Sequence, residues 1–276
     1  MPTLNDVDPS KMFAMFKGEP GTRKSTQAMT WPGPQYWFST DRKMSALALP
    51  AKKWGIDKSK INYDDYSEHY KLINKLEQLR LNCPFRTVII DSVTLAGLII
   101  NKQTRGDKKG STNKSGEESG RRVGGIAVNT MEDYKAEFAA FQEIMSNCQD
   151  MIELNDTKVI LIAHVVGERK SDEVGVTAHA RIIITGGKQI SGMIPAVCRE
   201  VYHFDITKAL VSGEEGDYRI FTSHTGEDFA RTALPLPREI KFKDQQLYPT
   251  FIEPAIKSLM AGSTTSLPTT NQLTPI

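Results

Sequence analysis

Gly18-Glu19-Pro20-Gly21-Thr22-Arg23-Lys24-Ser25-Thr26 is the stretch on which the reading of this chain turns. Before it, KMFAMF at 11–16 is a short apolar run that predicts a buried strand running into a turn. After it, 25–30 predicts a short helix, stopped by Pro32 and Gly33. A tight Gly/Pro loop between a strand and a helix converges backbone N–H groups on an anion, and Lys24 adds a point charge suited to β- and γ-phosphates. Ser25 offers a hydroxyl to Mg²⁺, and Thr26 lies one place further into the helix. Such loops usually carry glycine just before the lysine, where this chain has Arg23. A side chain there either points away from the phosphates or reaches round to contact them. From these nine residues alone, a Gly/Pro turn with an incidental Lys-Ser pair is the competing reading.

A second stretch, Val88-Ile89-Ile90-Asp91-Ser92, bears on that choice. It is an apolar strand ending in an acid, 67 residues after Lys24. A carboxylate at the C-terminal edge of a parallel sheet sits beside a phosphate loop, where it holds Mg²⁺ through water. Alone, an apolar run ending in Asp is common and reads as a turn or cap. With the first motif, in this order, it predicts a metal-dependent site for ATP or another nucleotide, with Ser25 and Asp91 toward the metal.

The rest of the chain supplies alternating elements. QYWFST at 35–40, RTVII at 86–90, KVILIA at 158–163, 181–185 and 200–206 read as strands, and 218–224 as a half-exposed one. Residues 67–80 read as a helix with Ser67 as N-cap. Thr130 with Asp133 resembles a capping box for an amphipathic helix reaching about Cys148. Residues 248–260 read as a closing helix with a kink or boundary at Pro254. Strands alternating with helices predict an α/β layer on a mostly parallel sheet. The expected organisation is an extension at 1–10, one domain at 11–260, and an uncharged Thr/Ser/Pro-rich disordered tail at 261–276.

Composition narrows the function classes. Of 276 residues, 35 are Lys or Arg and 33 Asp or Glu, a formal charge of +2, so any nucleic-acid contact must come from a local patch. Three well-separated cysteines (Cys83, Cys148, Cys198) argue against a disulfide scaffold or zinc ribbon and fit a reducing compartment. The N-terminus has no apolar signal core, and the greasiest run, 87–100, is too short to span a bilayer and contains Asp91. The expectation is a cytoplasmic protein without a membrane partner.

The order of GEPGTRKST, the acid after QYWFST, VIIDS, and the polar end of VILIAH resembles the RecA/RadA-type P-loop ATPase core. More narrowly, the layout, including ITGGKQISGMIPAVCREVYHFDI, resembles compact RecA-like ATPases encoded by phages that act in single-strand annealing recombination. The resemblance covers about 11–260 and implies a RecA-like fold: a twisted, mainly parallel sheet, helices on both faces and a β-rich C-terminal part. It implies ATP and Mg²⁺ as cofactors, a homo-oligomer, and the host cytoplasm if the protein is phage-encoded. It also implies roles for two further residues. Asp41 stands where such proteins usually carry a Glu that positions the attacking water, so hydrolysis with the shorter side chain is expected to be slow. Read from the residues alone, Asp41 is equally a solvated turn acid. His164 stands where the family places a sensor of the γ-phosphate, whereas a lone His at a strand end reads first as structural.

RecA-like folds also present two mobile loops to single-stranded DNA. Residues 102–125 hold six glycines and read as a long mobile loop. Within 102–122, Lys102, Arg105, Lys108, Lys109, Lys114, Arg121 and Arg122 face only Asp107, Glu117 and Glu118, a local balance of +4. A flexible cationic segment follows phosphates and releases counterions, although charge runs are also ordinary solvated surface. The segment lacks aromatics, so base stacking would fall to a residue such as Tyr134. Arg169 and Lys170, just beyond His164, suit DNA, a neighbour's ATP, or plain surface. Two functions follow: an ATPase that binds single-stranded DNA in recombination or annealing, or a nucleotide-gated helicase loader or adaptor for a single-strand-binding or replication protein. A metabolic kinase is weaker, since no arginine-rich lid is visible.

Overall fold

The computed structural model describes residues 8–107, 122–123, 126–127, 131–171, 177–183, 188–207, 216–225 and 229–261. In chain order the elements are β1 (Phe13–Gly18), α1 (Lys24–Ala28), β2 (Gln35–Ser39), α2 (Ala48–Lys53), β3 (Ile61–Asp65), α3 (His69–Leu81), β4 (Thr87–Asp91) and α4 (Val93–Asp107). There follow β5 (Arg122–Val123), β6 (Ile126–Ala127), α5 (Met131–Asn155), β7 (Lys158–Ser171), β8 (Thr177–Ile183), α6 (Lys188–Val197), β9 (Glu200–Ile206), β10 (Tyr218–Phe221), β11 (Glu239–Phe242) and α7 (Glu253–Met260).

The main sheet runs β11-β10-β9-β1-β7-β4-β2-β3, with β8 paired off this path to the far half of β7. From β9 to β3 every neighbouring pair is parallel, and β10 and β11 add an antiparallel C-terminal edge. One strand, β7, separates β1 from β4, and its register pairs Gly18 with His164 on one side and Asp91 with Ile162 on the other.

The central strands are buried on both faces because their residues alternate between two cores. On one face Phe13, Met15, Val88, Ile90, Val159 and Leu161 pack beneath apolar stripes of α3, α4, α5 and α6, including Leu76, Val93, Phe141 and Ile194. On the other, Ala14, Phe16, Trp37, Ile89, Ile160 and Ile162 pack with Ala28 of α1, Ala51 of α2 and Ile256 of α7. Burying each large apolar side chain is worth about 1.5–3 kcal/mol, so the cost of ordering is met on both sides of the sheet. This is an α/β architecture: a mostly parallel sheet with helices on both faces and a β-rich C-terminal edge.

Several boundaries differ from the sequence reading. The helix at α3 begins at His69; its N-cap is Glu68, which makes no side-chain cap bond, so Ser67 does not cap it. The helix expected to end near Cys148 continues to Asn155, because Met151 and Ile152 extend the buried stripe. Asp156, at φ 54°, then turns the chain. A mobile loop was expected over 102–125, but α4 runs on through Asp107 and Arg122–Val123 form β5; residues 108–121 lie outside the described residues. The strand expected over 158–163 extends to Ser171, because β8 supplies an antiparallel partner for Val165–Ser171. The closing helix divides near Pro254 as expected, a π-helical turn at Tyr248–Ile252 preceding α7. Residues 1–7, 262–276 and Thr130 of the expected capping box lie outside the described residues.

Candidate nucleotide site at the carboxyl end of the sheet

β1 delivers Gly18 to the carboxyl end of the parallel strands, where ligands of open α/β sheets bind. A side chain is excluded there: a Cβ on Gly18 would lie 2.2 Å from the Phe204 carbonyl oxygen of β9. Gly21 takes φ +85°, a conformation that suits glycine. Thr22 is buried and its hydroxyl donates to the Glu19 carbonyl at 2.8 Å, closing the loop on itself.

Lys24 opens α1 and is only 4% exposed. Its Nζ donates to the carbonyl oxygens of Gly18 (2.9 Å) and Glu19 (2.7 Å) and to Thr22 Oγ1 (3.3 Å). Burial pulls its pKa down to about 8, partly offset by the charges of Asp91 and Glu19. The ammonium is therefore charged at neutral pH and held by loop oxygens that an incoming anion can replace.

Ser25, next on α1, donates its hydroxyl to Asp91 Oδ2 at 2.6 Å. Burial pushes the Asp91 carboxyl up to about 6; the Ser25 bond opposes that shift, Asp41 adds to it, and Lys24 and Lys43 counter it. A hydroxyl and a carboxylate side by side, within electrostatic reach of a buried ammonium, fit Mg²⁺ carried with a nucleotide, since that ion keeps several waters and takes one or two protein ligands. Among the described residues no group of three or more His, Cys, Asp or Glu side chains is placed to hold a metal by itself.

Arg23 turns outward. It caps α1 in the left-handed region (φ 63°, ψ 22°), the conformation that explains why glycine is usual here. Its guanidinium lies 3.9 Å from the centre of the Tyr218 ring and donates to the Lys243 carbonyl at 2.6 Å. Gln27, one turn on, donates to the Gln245 carbonyl at 2.9 Å and accepts the Leu247 N–H at 2.8 Å. Thr30 Oγ1 accepts the Tyr248 N–H at 3.2 Å. One polar stripe thus clasps α1 to the C-terminal segment.

Asp41 follows β2, with its side chain 13% exposed. Its Oδ1 accepts the Lys43 N–H at 3.2 Å, and its charge reaches both Asp91 and His164. His164 is half-buried; its backbone N–H donates to Thr94 Oγ1 at 3.0 Å, and its buried Nδ1 has no hydrogen-bond partner. Burial, then the charges of Lys24 and Lys43, lower its pKa, favouring the neutral ring at neutral pH. The structure therefore brings together Lys24, Ser25, Asp41, Asp91 and His164 from four separate elements. Sequence reading missed Thr40, Lys43 and Thr94 at this site. Thr40 and Lys43 flank Asp41, and Thr94 sits in the first turn of α4; only that proximity could have flagged them.

Of the expected DNA contacts, Lys108, Lys109 and Arg121 lie outside the described residues. Arg105 falls on α4 and Arg122 on β5, opposite Ala127. Arg169 and Lys170 fall on β7, opposite His179 and Ala178 of β8. A cleft of about 640 Å³ lined by Thr30, Pro32, Phe85, Arg86, Lys158 and Tyr248 lies at the amino-terminal ends of the strands, away from Lys24 and Asp91.

No protein-family model and no curated protein matches this chain. Among solved structures, the flagellar accessory protein FlaH from Methanocaldococcus jannaschii is similar over 85% of this chain and 86% of that one, at 10% identity and a TM-score of 0.44. The α/β class of the fold rests on the strand order and pairing described above. No helix among the described residues is long and apolar enough to cross a membrane.

Proposed function

We propose that this protein is a Mg²⁺-dependent ATPase that uses ATP to control its hold on single-stranded DNA, as in phage-type recombination or strand annealing. The observation that carries the nucleotide part is the 2.6 Å contact of Ser25 with Asp91, from α1 and β4, beside the buried Lys24 ammonium. In this reading Lys24 exchanges the oxygens of Gly18, Glu19 and Thr22 for those of the β- and γ-phosphates. The loop N–H groups bind the same anion. Ser25 and Asp91 would hold Mg²⁺, which supplies charge neutralisation at the phosphates when bound. Asp41 orients the attacking water, and His164, neutral and with a free ring nitrogen, reads the terminal phosphate.

The DNA part is supported by the +4 balance over 102–122 and by the run of β7 beyond His164 carrying Arg169 and Lys170. β7 passes the site at His164 and runs on through Arg169 and Lys170, so a change in nucleotide contacts can bias that strand. The coupling is a linkage: ATP shifts DNA affinity by as much as it prefers one loop state. A homo-oligomer in the cytoplasm belongs to the same proposal.

The test is ATP hydrolysis measured with and without single-stranded DNA, alongside a salt titration of DNA binding. Stimulation by DNA and affinity that falls with salt are expected. Hydrolysis indifferent to DNA, with no DNA affinity at low salt, would refute the DNA part and favour a loader or adaptor. Retained ATP affinity in Lys24→Ala would refute the loop assignment.

A further inference from the structure

We infer that Thr40 is a positioning residue whose hydroxyl holds the water-orienting acid, Asp41, and the magnesium carboxylate, Asp91, in one fixed relation. The inference rests on the nucleotide-site reading above and adds a residue to it.

β2 and β4 run parallel until Ser39 stands opposite Asp91, where both strands end. One more backbone bond continues the ladder, from the Thr40 N–H to the Asp91 carbonyl at 2.8 Å. Beyond it the strands diverge: Arg42 takes φ 56° and turns the chain after β2, while Ser92 leads into α4. The Thr40 side chain spans the gap. Its Oγ1 accepts the Ser92 N–H at 2.8 Å and donates to the Ser92 carbonyl at 2.9 Å. A single hydroxyl thereby engages both backbone polar groups of the residue next to Asp91, from the residue next to Asp41.

Both partners are buried, Thr40 at 8% and Ser92 at 0% exposure, so water does not replace these bonds cheaply. Ser92 is also where α4 starts: its carbonyl accepts the Ala96 N–H at 3.0 Å and its Oγ accepts the Leu95 N–H at 3.3 Å. Thr40 therefore ties three things to one point: the Asp41 turn, the Asp91 carboxylate and the first turn of α4, whose Thr94 in turn receives the His164 N–H. Two carboxylates that repel each other at a site margin need such a tether to stay aligned for one metal and one water. Serine would retain the hydroxyl; valine would keep the shape and lose both bonds.

The test compares the full-length protein with Thr40→Val and Thr40→Ser by titrating a fluorescent ATP analogue without Mg²⁺, then titrating Mg²⁺ into the analogue complex. For Thr40→Val the expected result is Mg²⁺-free analogue affinity within about twofold of wild type, with the Mg²⁺ concentration for half-saturation raised about tenfold. Thr40→Ser should restore that midpoint to within about threefold. An unchanged Mg²⁺ midpoint in Thr40→Val, or a uniform loss of affinity with and without Mg²⁺, overturns the positioning role. If Thr40→Val is insoluble, Thr40→Ala, which also lacks the hydroxyl, carries the same expectation. A wild type that binds the analogue without any Mg²⁺ response, or does not bind it, overturns the nucleotide-site reading itself and the inference with it.

Discussion

Replacing Asp91 with Asn should stabilise the nucleotide-free protein while removing its response to Mg²⁺. The carboxyl is 6% exposed, and its pKa moves from 3.8 to about 6, with burial as the first cause. An acid whose folded-state pKa is raised costs stability once it must ionise. The folded form binds the proton more tightly than the unfolded form between pH ~4 and ~6, so stability falls as pH rises through that window and then levels off. At 1.36 kcal/mol for each tenfold change in proton affinity, the full cost above pH ~7 is about 3 kcal/mol. That figure already contains the attraction of Lys24 and Lys43, because both contribute to the pKa. Asn keeps the shape and an oxygen for the Ser25 hydroxyl but carries no charge. Urea unfolding of wild type and Asp91→Asn at a series of pH values measures the difference directly. The variant should gain about 3 kcal/mol at pH 7.5, and most of the gain should disappear by pH 4, where the wild-type carboxyl is protonated in the fold. A variant less stable than wild type at pH 7.5, or a gain that does not depend on pH, would refute this account of a carboxylate held ionised at an energetic cost for the metal.

Two further outcomes follow from the same geometry. At Arg23, Gly tolerates the left-handed backbone and Ala does not, so Arg23→Gly should be more stable than Arg23→Ala by about 1 kcal/mol in thermal or urea unfolding; equal stabilities would mean that the backbone there does not hold φ 63° in solution. Neutralising Lys108, Lys109, Arg121 and Arg122 together should weaken single-stranded DNA binding and lower its salt slope, with ATP affinity within about twofold of wild type. Loss of ATP affinity as well would indicate that this segment supports the fold.

The core strands were legible because burial on both faces leaves a local mark: continuous apolar runs such as VII at 88–90 and VILIA at 159–163. The edge strand β3, INYDD, carries no such mark, since four of its five residues are exposed, and β11 and α2 are as short and as mixed. β7 was cut short at His164 for a related reason: its polar second half is a strand only because β8 pairs with it. The Gly18–Thr26 loop was visible as a turn between a strand and a helix through its glycine spacing and a lysine-serine pair, all within nine residues.

What the sequence determined by itself is the set of local devices: a Gly/Pro loop carrying a Lys-Ser pair, an acid at a strand end, and the alternation that demands a two-faced sheet. Only the tertiary structure decided how they meet. The interposition of β7 between β1 and β4 sets the spacing at which Ser25 reaches Asp91, 66 residues away in the chain, at 2.6 Å. The direction of Arg23 was open in the sequence because its partners, Tyr218 of β10 and the Lys243 carbonyl just past β11, lie nearly two hundred residues or more downstream. The hydroxyl of Thr40 has meaning only beside Ser92. Local patterns record which face of an element is apolar; hydrogen bonds between chain ends and distant turns depend on strand order and register, which no short stretch of sequence contains.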